Sequence, residues 1–411
     1  MIREIAKNVF AVGVADPDRR HFHGHEMTTA QGTTYNSYLI RDTKETVLVD
    51  TVWAPLREEF LANLRQVVDP AKITTIVINH AEPDHGGLLA AVKHLAPNAR
   101  ILCSKRGTDS ISGWHHADWP LQVVETGQTL DTGSMKLTFI MALMCHWPDS
   151  MMVHVGGAQC SNPGAPGRAG TNGPDVLLSN DAFGQHYTSA AFDDEARDGR
   201  LWFEAEKYFV NIITPYCRNV AQRLDELQKL ALPIKMIAPS HGAIWRRGVA
   251  EVVAAYRRWS AQETQQRAVV CYDTMYDSTR RMADAICDGL ADEGLPLARH
   301  HLAVSDRSDV LTDLFGARGF LIGSPVWHMS LLPTVATLLE DLKALAFKSR
   351  LVGAFGSYGW QKANVQLIEA RAKAAGFDVP LPGVVCQWKP RAADLEACRA
   401  FGRQFAQRVK Q

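Results

Sequence analysis

Four short apolar segments in the first half of the chain each end in a loop that carries histidine or aspartate. The segment Ile73–Ile78 leads into H-A-E-P-D-H at residues 80–85, and similar segments precede His146, Asp181 and His241. Apolar segments of this length are typical of buried strands, and the ends of such strands can meet at one edge of a sheet. The pattern therefore constrains the first half of the chain to a sheet whose edge gathers imidazole and carboxylate side chains.

The segment at residues 80–85 offers two imidazoles and two carboxylates but no thiolate. Such a hard, oxygen-rich ligand set suits redox iron or manganese at least as well as zinc. A zinc hydrolase of the metallo-β-lactamase type is expected to carry H-x-H-x-D-H here, so Glu82 argues against that class. Taken singly, each loop is also explained by ordinary polar residues or a structural histidine. The repetition of the pattern at four strand ends favours a metal site.

Length and composition exclude several classes of protein. A chain of 411 residues predicts two domains, and a formal net charge of zero argues against nucleic-acid binding through global electrostatics. The absence of a long apolar stretch and of an N-terminal signal-peptide core predicts a cytoplasmic protein without membrane contact. The eight cysteines form no C-x-x-C pair, which argues against a rubredoxin-like or zinc-ribbon module and predicts free buried thiols.

The pattern of apolar residues changes in the middle of the chain. Residues 1–255 combine short strands with a few helices, which is typical of an αββα sandwich. A charged helix at Tyr256–Gln265 is predicted to serve as a linker. Residues 256–411 then alternate regularly between strand and helix, which predicts a doubly wound parallel sheet. The segment Gly156–Pro174 is too rich in glycine and proline for either element and predicts an exposed loop insertion.

Three strand ends in the second half carry hydroxyl and aromatic side chains. Hydroxyls before a helix favour a phosphate site, and aromatic rings beside it suit a flat mononucleotide such as FMN. No G-x-G-x-x-G motif is present, so NAD or FAD is a poorer fit. The alternative is a surface cluster of serines and aromatic residues. The candidate cofactor-binding residues are Thr274, Met275, Tyr276, Asp277, Ser278, Thr279, Ser324, Pro325, Val326, Trp327, His328, Ser357, Tyr358, Gly359 and Trp360.

Together these motifs resemble those of the flavodiiron proteins, the A-type flavoprotein family, over essentially the whole chain. Besides residues 80–85, the shared segments are G-T-T-Y-N-S-Y at 32–38, H-W-P-D-S-M at 146–151, D-A-F-G-Q-H at 181–186, S-H-G at 240–242, D-T-M at 273–275, G-S-P at 323–325 and G-S-Y-G-W at 356–360. The resemblance implies a metallo-β-lactamase-like αββα diiron domain at residues 1–255. It also implies a flavodoxin-like FMN domain at residues 256–411.

The resemblance also implies the ligands of two iron ions. One ion would be held by His80, Glu82 and His146, and the other by Asp84, His85 and His241. The carboxylate of Asp181 would bridge them. His186 has no ligand role in that pattern and is interpreted as a structural or supporting histidine.

Three departures from the family pattern lie in the flavin half. Asp277 stands where glycine is common, His328 stands where asparagine is common, and Gln361-Lys362 replaces a smaller pair. A carboxylate beside a phosphate is repulsive unless it points away, although aspartate tolerates left-handed backbone geometry better than most residues. These changes bear on the affinity and redox tuning of the flavin.

The resemblance implies that the protein reduces dioxygen to water, nitric oxide to nitrous oxide, or both, with electrons passing through FMN. Both reactions use the same metal ligands, so the sequence leaves the preference open, and we favour dioxygen. Rubredoxin or a similar external electron donor is implied, as is a head-to-tail homodimer or a dimer of dimers. The competing hypotheses are a zinc hydrolase fused to a flavodoxin domain and a non-catalytic flavodoxin-type electron carrier.

Overall fold

The structure is a computed structural model of the chain, and residues 2–22, 27–157 and 173–411 are described. Contacts within the chain divide it into two compact units. The first contains most residues up to Ala261, and the second runs from Gln262 to Gln411 with two short earlier segments, one ending at Thr28 and the other being Val210–Pro215. Most of the predicted insertion Gly156–Pro174 lies outside the described residues.

Two sheets form the centre of the first unit, one with the strand order β1-β2-β7-β8-β9-β10-β11 and the other with the order β12-β13-β14-β15-β16. The strands up to Ala261 are β1 (Arg3–Ala6), β2 (Val9–Ala11), β3 (Val14–Asp16), β4 (His21–Phe22), β5 (Met27–Thr28), β6 (Thr33–Tyr35), β7 (Tyr38–Arg41), β8 (Thr46–Val49), β9 (Thr75–Ile78), β10 (Arg100–Cys103), β11 (Leu121–Val123), β12 (Thr129–Asp131), β13 (Met135–Met141), β14 (Met151–Gly157), β15 (Val176–Asn180) and β16 (Met236–Pro239). The helices are α1 (Arg57–Val67), α2 (Pro83–Gly86), α3 (Leu89–Leu95), α4 (Lys105–His115), α5 (Arg200–Tyr208), α6 (Cys217–Lys229) and α7 (Val249–Ser260).

The alternation of side chains along β9 explains how these layers pack. Val77 belongs to the core between the two sheets, together with residues such as Phe139 and Leu178 of the other sheet. Its neighbours Ile76 and Ile78 point the opposite way and pack in a second core against the helices α1, α3 and α4. Because successive side chains of a strand point to opposite faces, a strand covered on both sides must be apolar throughout. This arrangement confirms the predicted αββα sandwich.

The second unit is a parallel sheet with the strand order β18-β17-β19-β20-β21 and helices between the strands. Its elements are β17 (Gln265–Tyr272), α8 (Ser278–Asp292), β18 (Leu297–His301), α9 (Arg307–Gly316), β19 (Ala317–Gly323), α10 (Pro333–Ala344), β20 (Leu351–Tyr358), α11 (Asn364–Ala374), β21 (Val384–Gln387) and α12 (Ala392–Lys410). This is the flavodoxin-like order of a doubly wound sheet, in which ligands bind where the strand order reverses, here between β17 and β19. The predicted doubly wound fold is confirmed.

The prediction of a linker helix at Tyr256–Gln265 was wrong about the position of the helix. The helix α7 spans Val249–Ser260, and Gln265 already begins β17. The helix α7 buries Val252, Ala255 and Tyr256 in the first unit. A helix with a buried apolar face belongs to a domain and does not serve as an exposed linker. Among the described residues, no helix is both long and apolar enough to cross a bilayer.

Candidate metal centre and cofactor cleft

The predicted metal ligands all follow the carboxyl ends of strands in the first unit. The segment 80–85 follows β9, the loop with His146 follows β13, and Asp181 and His241 follow β15 and β16. Only four residues separate β9 from the short helix α2, so Asp84 and His85 lie in the helix and His80 and Glu82 lie in the short connection before it. Seven side chains converge here, namely those of His80, Glu82, Asp84, His85, His146, Asp181 and His241.

Local backbone geometry directs two of these side chains. Asn180 has a positive φ of 55°, which asparagine tolerates, and this turns the chain at the end of β15 so that Asp181 enters the cluster. His241 is followed by Gly242 at φ +81°, where a Cβ atom would lie 1.4 Å from the side chain of Gln185. Only glycine fits at that position.

The carboxylate of Asp181 lies between two pairs of imidazoles. Its Oδ2 atom is 3.7 Å from Nε2 of His80 and 3.6 Å from Nε2 of His146. Its Oδ1 atom is 3.1 Å from Nε2 of His85 and 3.5 Å from Nε2 of His241. Each oxygen therefore faces a different pair of histidines, which is the arrangement that a bridging carboxylate requires.

One further carboxylate belongs to each pair of imidazoles. Oε2 of Glu82 is 3.0 Å from Nε2 of His80 and 3.5 Å from Nε2 of His146. Oδ2 of Asp84 is 3.4 Å from Nε2 of His85 and 3.1 Å from Nε2 of His241. The cluster thus contains two sets of ligands, each with two imidazoles, one terminal carboxylate and one oxygen of the shared aspartate.

Hydrogen bonds on the far side of the rings orient the imidazoles. Nδ1 of His80 lies 3.0 Å from Oδ1 of Asp149, whose other oxygen accepts a bond from the backbone N–H of Ala81 at 2.9 Å. Nδ1 of His241 lies 2.6 Å from the carbonyl oxygen of Thr34. Partners of this kind fix the ring orientation and direct Nε2 toward a metal.

Several inward-facing atoms lack a hydrogen-bond partner. Within the described part of the chain this holds for Nε2 of His85, Nε2 of His241 and Oδ2 of Asp181, all of them buried. Buried polar atoms are nearly always satisfied in native proteins, so a group of them pointing at one space indicates a metal-binding site. Their chemistry, imidazole nitrogen with carboxylate oxygen, fits a pair of iron ions.

The electrostatics of the cluster favour the ionised form of Asp181. Burial by itself raises the pKa of Asp181, but the nearby His85 and the other histidines hold that pKa well below its usual range. Burial by itself lowers the pKa of His85, whereas Asp84 and Asp181 raise it to about 10. A carboxylate that stays ionised in a buried cluster of imidazoles is a suitable ligand for a cation.

Sequence reasoning missed two residues that support the cluster. Asp149, which orients His80, stands inside the H-W-P-D segment, so its position three residues after His146 was the available signal. Tyr208 donates a hydrogen bond from its hydroxyl to Oδ1 of Asp181 at 3.0 Å, and no sequence signal identified it. His186 stands behind the ligands, with Nδ1 2.7 Å from the hydroxyl oxygen of Thr33.

The candidate flavin residues surround a cleft of about 1240 Å³ in the second unit. The cleft lies at the carboxyl ends of β17, β19 and β20, as predicted for a ligand of a doubly wound sheet. The predicted residues that line it are Thr274, Met275, Tyr276, Asp277, Ser278, Pro325, Val326, Trp327, His328, Ser357, Tyr358, Gly359 and Trp360. The other two predicted residues, Thr279 and Ser324, are fully buried.

These two buried residues tie the loops of the cleft together. The hydroxyl oxygens of Thr279 and Ser357 are 3.0 Å apart, which links α8 to the end of β20. The side-chain amide of Asn364 donates to the carbonyl oxygens of Ser324 at 2.6 Å and Ser357 at 2.9 Å. The loops that follow β19 and β20 are therefore held at a fixed separation, which suits a planar ligand.

The cleft also contains residues that were not among the predicted cofactor-binding residues, namely Arg280, Arg281, Met329, Gln361, Trp388 and Lys389. Trp388 follows β21, donates its backbone N–H to the carbonyl oxygen of Tyr358 at 2.8 Å, and lies 6.2 Å from the ring centre of Trp360. A fourth strand end therefore contributes to the site. The signal was the Q-W-K segment at residues 387–389, which resembles the other aromatic strand ends.

Two family models match the chain. The one described as "ODP family beta lactamase" matches residues 33–242, and the one described as "Flavodoxin" matches residues 270–402. The first match contains all seven residues of the metal cluster. The second contains every predicted flavin residue.

Curated relatives match nearly the whole chain. A protein named nitric oxide reductase from Moorella thermoacetica is 43% identical over 408 residues, which are 98% of this chain and 98% of the relative. A protein named anaerobic nitric oxide reductase flavorubredoxin from Escherichia coli is 40% identical over 407 residues, which are 98% of this chain and 81% of the relative.

Solved structures share the fold over the full length. The rubredoxin oxygen:oxidoreductase from Desulfovibrio gigas is 31% identical with a TM-score of 0.92, and the match covers 100% of this chain and 99% of the other. The flavodiiron protein from Giardia intestinalis is 28% identical with a TM-score of 0.91, covering 100% and 97%. The cofactors that fit the two sites are a non-haem diiron centre and FMN, and the chain is a member of the flavodiiron protein family of oxidoreductases.

Proposed function

We propose that the protein reduces nitric oxide to nitrous oxide and dioxygen to water, with FMN as the source of electrons. Two molecules of nitric oxide take up two electrons and two protons to give nitrous oxide and water, whereas dioxygen takes up four of each to give two waters. The names of the relatives from Moorella and Escherichia support nitric oxide as a substrate, and that of the Desulfovibrio structure supports dioxygen.

The observation that carries this proposal is the division of the Asp181 carboxylate between two pairs of histidines. One iron would be held by His80, Glu82, His146 and Asp181, and the other by Asp84, His85, His241 and the same Asp181 carboxylate. The distances of 3.0–3.7 Å between these nitrogen and oxygen atoms support the assignment, because atoms that share one ion lie this close together.

The surrounding side chains restrict access to the cluster. The ring centre of Trp147 lies 4.9 Å from that of His80, and the ring centre of Phe22 lies 5.1 Å from that of His241. Glu82 and His146 are the only two of the seven ligands with appreciable exposure, at 21% and 16% of their side chains. A small gas therefore has its access on the side of Glu82 and His146, while bulk water is kept from the rest of the cluster.

The roles of the two cofactors follow from their chemistry. When bound, the iron pair would provide redox equivalents and open coordination positions for a diatomic gas, and FMN would provide the electrons. The chain's own contribution is to hold Asp181 in place through the hydroxyl of Tyr208 and to keep the flavin loops at a fixed separation through Asn364. The residues that line the cleft are proposed to contact FMN.

We propose a rubredoxin-type protein as the electron donor, which the names of the Escherichia and Desulfovibrio proteins support. A head-to-tail homodimer, or a dimer of two such dimers, is also part of the proposal, because electron transfer needs a short path from the flavin to the irons. The cytoplasmic location stays a prediction from the sequence.

The test is anaerobic reduction of the purified protein followed by parallel mixing with nitric oxide and with dioxygen. We expect flavin reoxidation with each gas, formation of nitrous oxide in the first reaction and loss of dissolved oxygen in the second. A reduced protein that reacts with neither gas would contradict the proposal. Hydrolysis of an ester or lactam substrate by a zinc-containing protein would instead support the zinc hydrolase.

A further inference from the structure

An ion pair lies at the start of α8, in the wall of the flavin cleft. Asp277 immediately precedes α8 and has a positive φ of 61°. Its Oδ1 atom accepts a hydrogen bond from Nε of Arg280 at 2.8 Å. Both side chains line the cleft, and about half of each is exposed (46% for Arg280 and 59% for Asp277), so a ligand can reach them.

The geometry of the pair leaves part of the guanidinium group available. Among the described residues, Arg280 makes its side-chain hydrogen bond through Nε. The N–H groups on its two terminal nitrogens point in other directions within the plane of the guanidinium group. The hydrogen bond from Arg280 lowers the pKa of Asp277, so the carboxylate stays ionised and the pair persists at neutral pH. A guanidinium group fixed at one edge is suited to bind a phosphate with the other.

The charge of the cleft is compatible with a phosphate. Its lining residues include the cations Arg280, Arg281 and Lys389 and one anion, Asp277. An unpaired carboxylate at the start of α8 would repel a phosphate bound there, whereas the pair with Arg280 cancels that repulsion. The helix N-terminus, at which Asp277 makes no side-chain cap, adds backbone N–H donors in the same place.

We propose that Arg280 binds the phosphate group of FMN and that Asp277 orients the guanidinium group of Arg280 for this contact. The inference goes beyond the proposed gas reduction and rests on FMN as the ligand of this cleft. It makes Arg280 a residue that distinguishes FMN from riboflavin, because riboflavin has the same ring system and lacks the phosphate.

The experiment is a titration of the flavin-free full-length protein with FMN and, separately, with riboflavin, followed by quenching of flavin fluorescence. We expect Arg280→Gln to weaken FMN binding about tenfold and to leave riboflavin binding unchanged. Arg280→Lys keeps the charge but loses the planar fork, so it should lie between the wild type and Arg280→Gln. Equal losses for both flavins, or unchanged FMN binding, would overturn the proposal.

A double variant separates direct contact from charge cancellation. If Arg280 only neutralises Asp277, then Asp277→Asn combined with Arg280→Gln will bind FMN as tightly as the wild type, and the proposed contact is wrong. We expect the double variant to remain several-fold weaker than the wild type because the phosphate contact is still missing. Arg371→Gln, on an exposed part of α11 outside the cleft, is the matched control for loss of one positive charge and should leave both affinities unchanged. Because riboflavin binding reports occupation of the cleft, failure of the inference can be told apart from failure of the proposed gas chemistry.

Discussion

At the scale of single residues, the metal centre depends on one buried carboxylate whose two oxygen atoms have different neighbours. Asp181 is 1% exposed, and its two oxygens face separate pairs of histidines. Burial of a carboxylate among imidazoles is costly unless a cation balances the charge. The burial of Asp181 is therefore explained by a pair of bound metal ions.

Replacement of Asp181 tests this interpretation directly. Asp181→Ala removes the one side chain that both ligand sets share, so we expect most of the iron to be lost while the flavin absorbance at visible wavelengths stays normal. Asp109→Ala, at an exposed position of α4, is the control and should retain both cofactors. Iron analysis and absorption spectra of the purified variants provide the measurement. Retention of both irons by Asp181→Ala would show that the ligand assignment is wrong.

The support of His80 by Asp149 gives a second prediction at this scale. Asp149→Ala removes the acceptor for Nδ1 of His80 and for the N–H of Ala81, so the imidazole is no longer held in one orientation. We expect iron affinity to fall about 10- to 100-fold, as is usual for partners of metal-binding histidines. Competition with a chelator measures the change. An unchanged chelator midpoint would mean that Asp149 has no role in the metal site.

At the scale of elements, both sites are built where strands end. The metal ligands follow β9, β13, β15 and β16, and the flavin cleft is formed by the loops after β17, β19, β20 and β21. Apolar runs that end in reactive side chains were visible in the sequence, so the site at each strand end could be predicted. The residue that joins two of these loops, Asn364, could not be predicted. Its side chain binds backbone carbonyl oxygens such as that of Ser324, which lies far away in the sequence.

Element prediction failed where strands lie at the edge of a sheet. The strand β18 (Leu297–His301) was not predicted because none of its residues is fully buried, and β21 (Val384–Gln387) buries only Cys386. Edge strands need fewer apolar residues than central ones, so their sequences resemble loops. Tyr208 was missed for a related reason, since its role depends on the position of α5 against Asp181 and not on any local pattern.

The link between the two flavin loops leads to an element-scale prediction. Asn364→Ala leaves the carbonyl oxygens of Ser324 and Ser357 without this donor, and the loops after β19 and β20 lose their common support. We expect FMN to bind about tenfold more weakly, which corresponds to the loss of one or two buried hydrogen bonds. Gln366→Ala, at an exposed position of the same helix, is the control. Fluorescence titration decides the question, and equal FMN affinity in both variants would contradict the role of Asn364.

Close packing of α8 against α12 gives a prediction for stability. A Cβ atom on Gly402 would lie 2.3 Å from the carbonyl oxygen of Ile286, so Gly402→Ala must push the two helices apart. We expect a loss of about 1–3 kcal/mol in the free energy of unfolding. Gly113→Ala is the contrasting variant, because a Cβ atom there meets nothing within 4 Å and α4 should gain about 0.5–1 kcal/mol. Calorimetric melting of both variants tests this contrast. An unchanged melting temperature for Gly402→Ala would exclude tight contact between α8 and α12 at this position.

At the scale of the whole molecule, the chain combines a diiron unit with a flavin unit, and each can be understood by itself. The first unit supplies ligands that hold metal without thiolates, and the second supplies a cleft for a planar cofactor. The order of the two units along the chain and the fold of each could be predicted from the change in apolar pattern. The gas preference could not be predicted, because the two reactions use the same metal ligands.

Together the two sites require two iron ions and one FMN in each chain. The most direct test is quantitative metal and flavin analysis of the purified holoprotein, expressed per chain. We expect iron at close to two equivalents, FMN at close to one equivalent after release by heat or acid, and little zinc. Zinc as the main metal, together with a colourless protein that contains no flavin, would contradict this expectation.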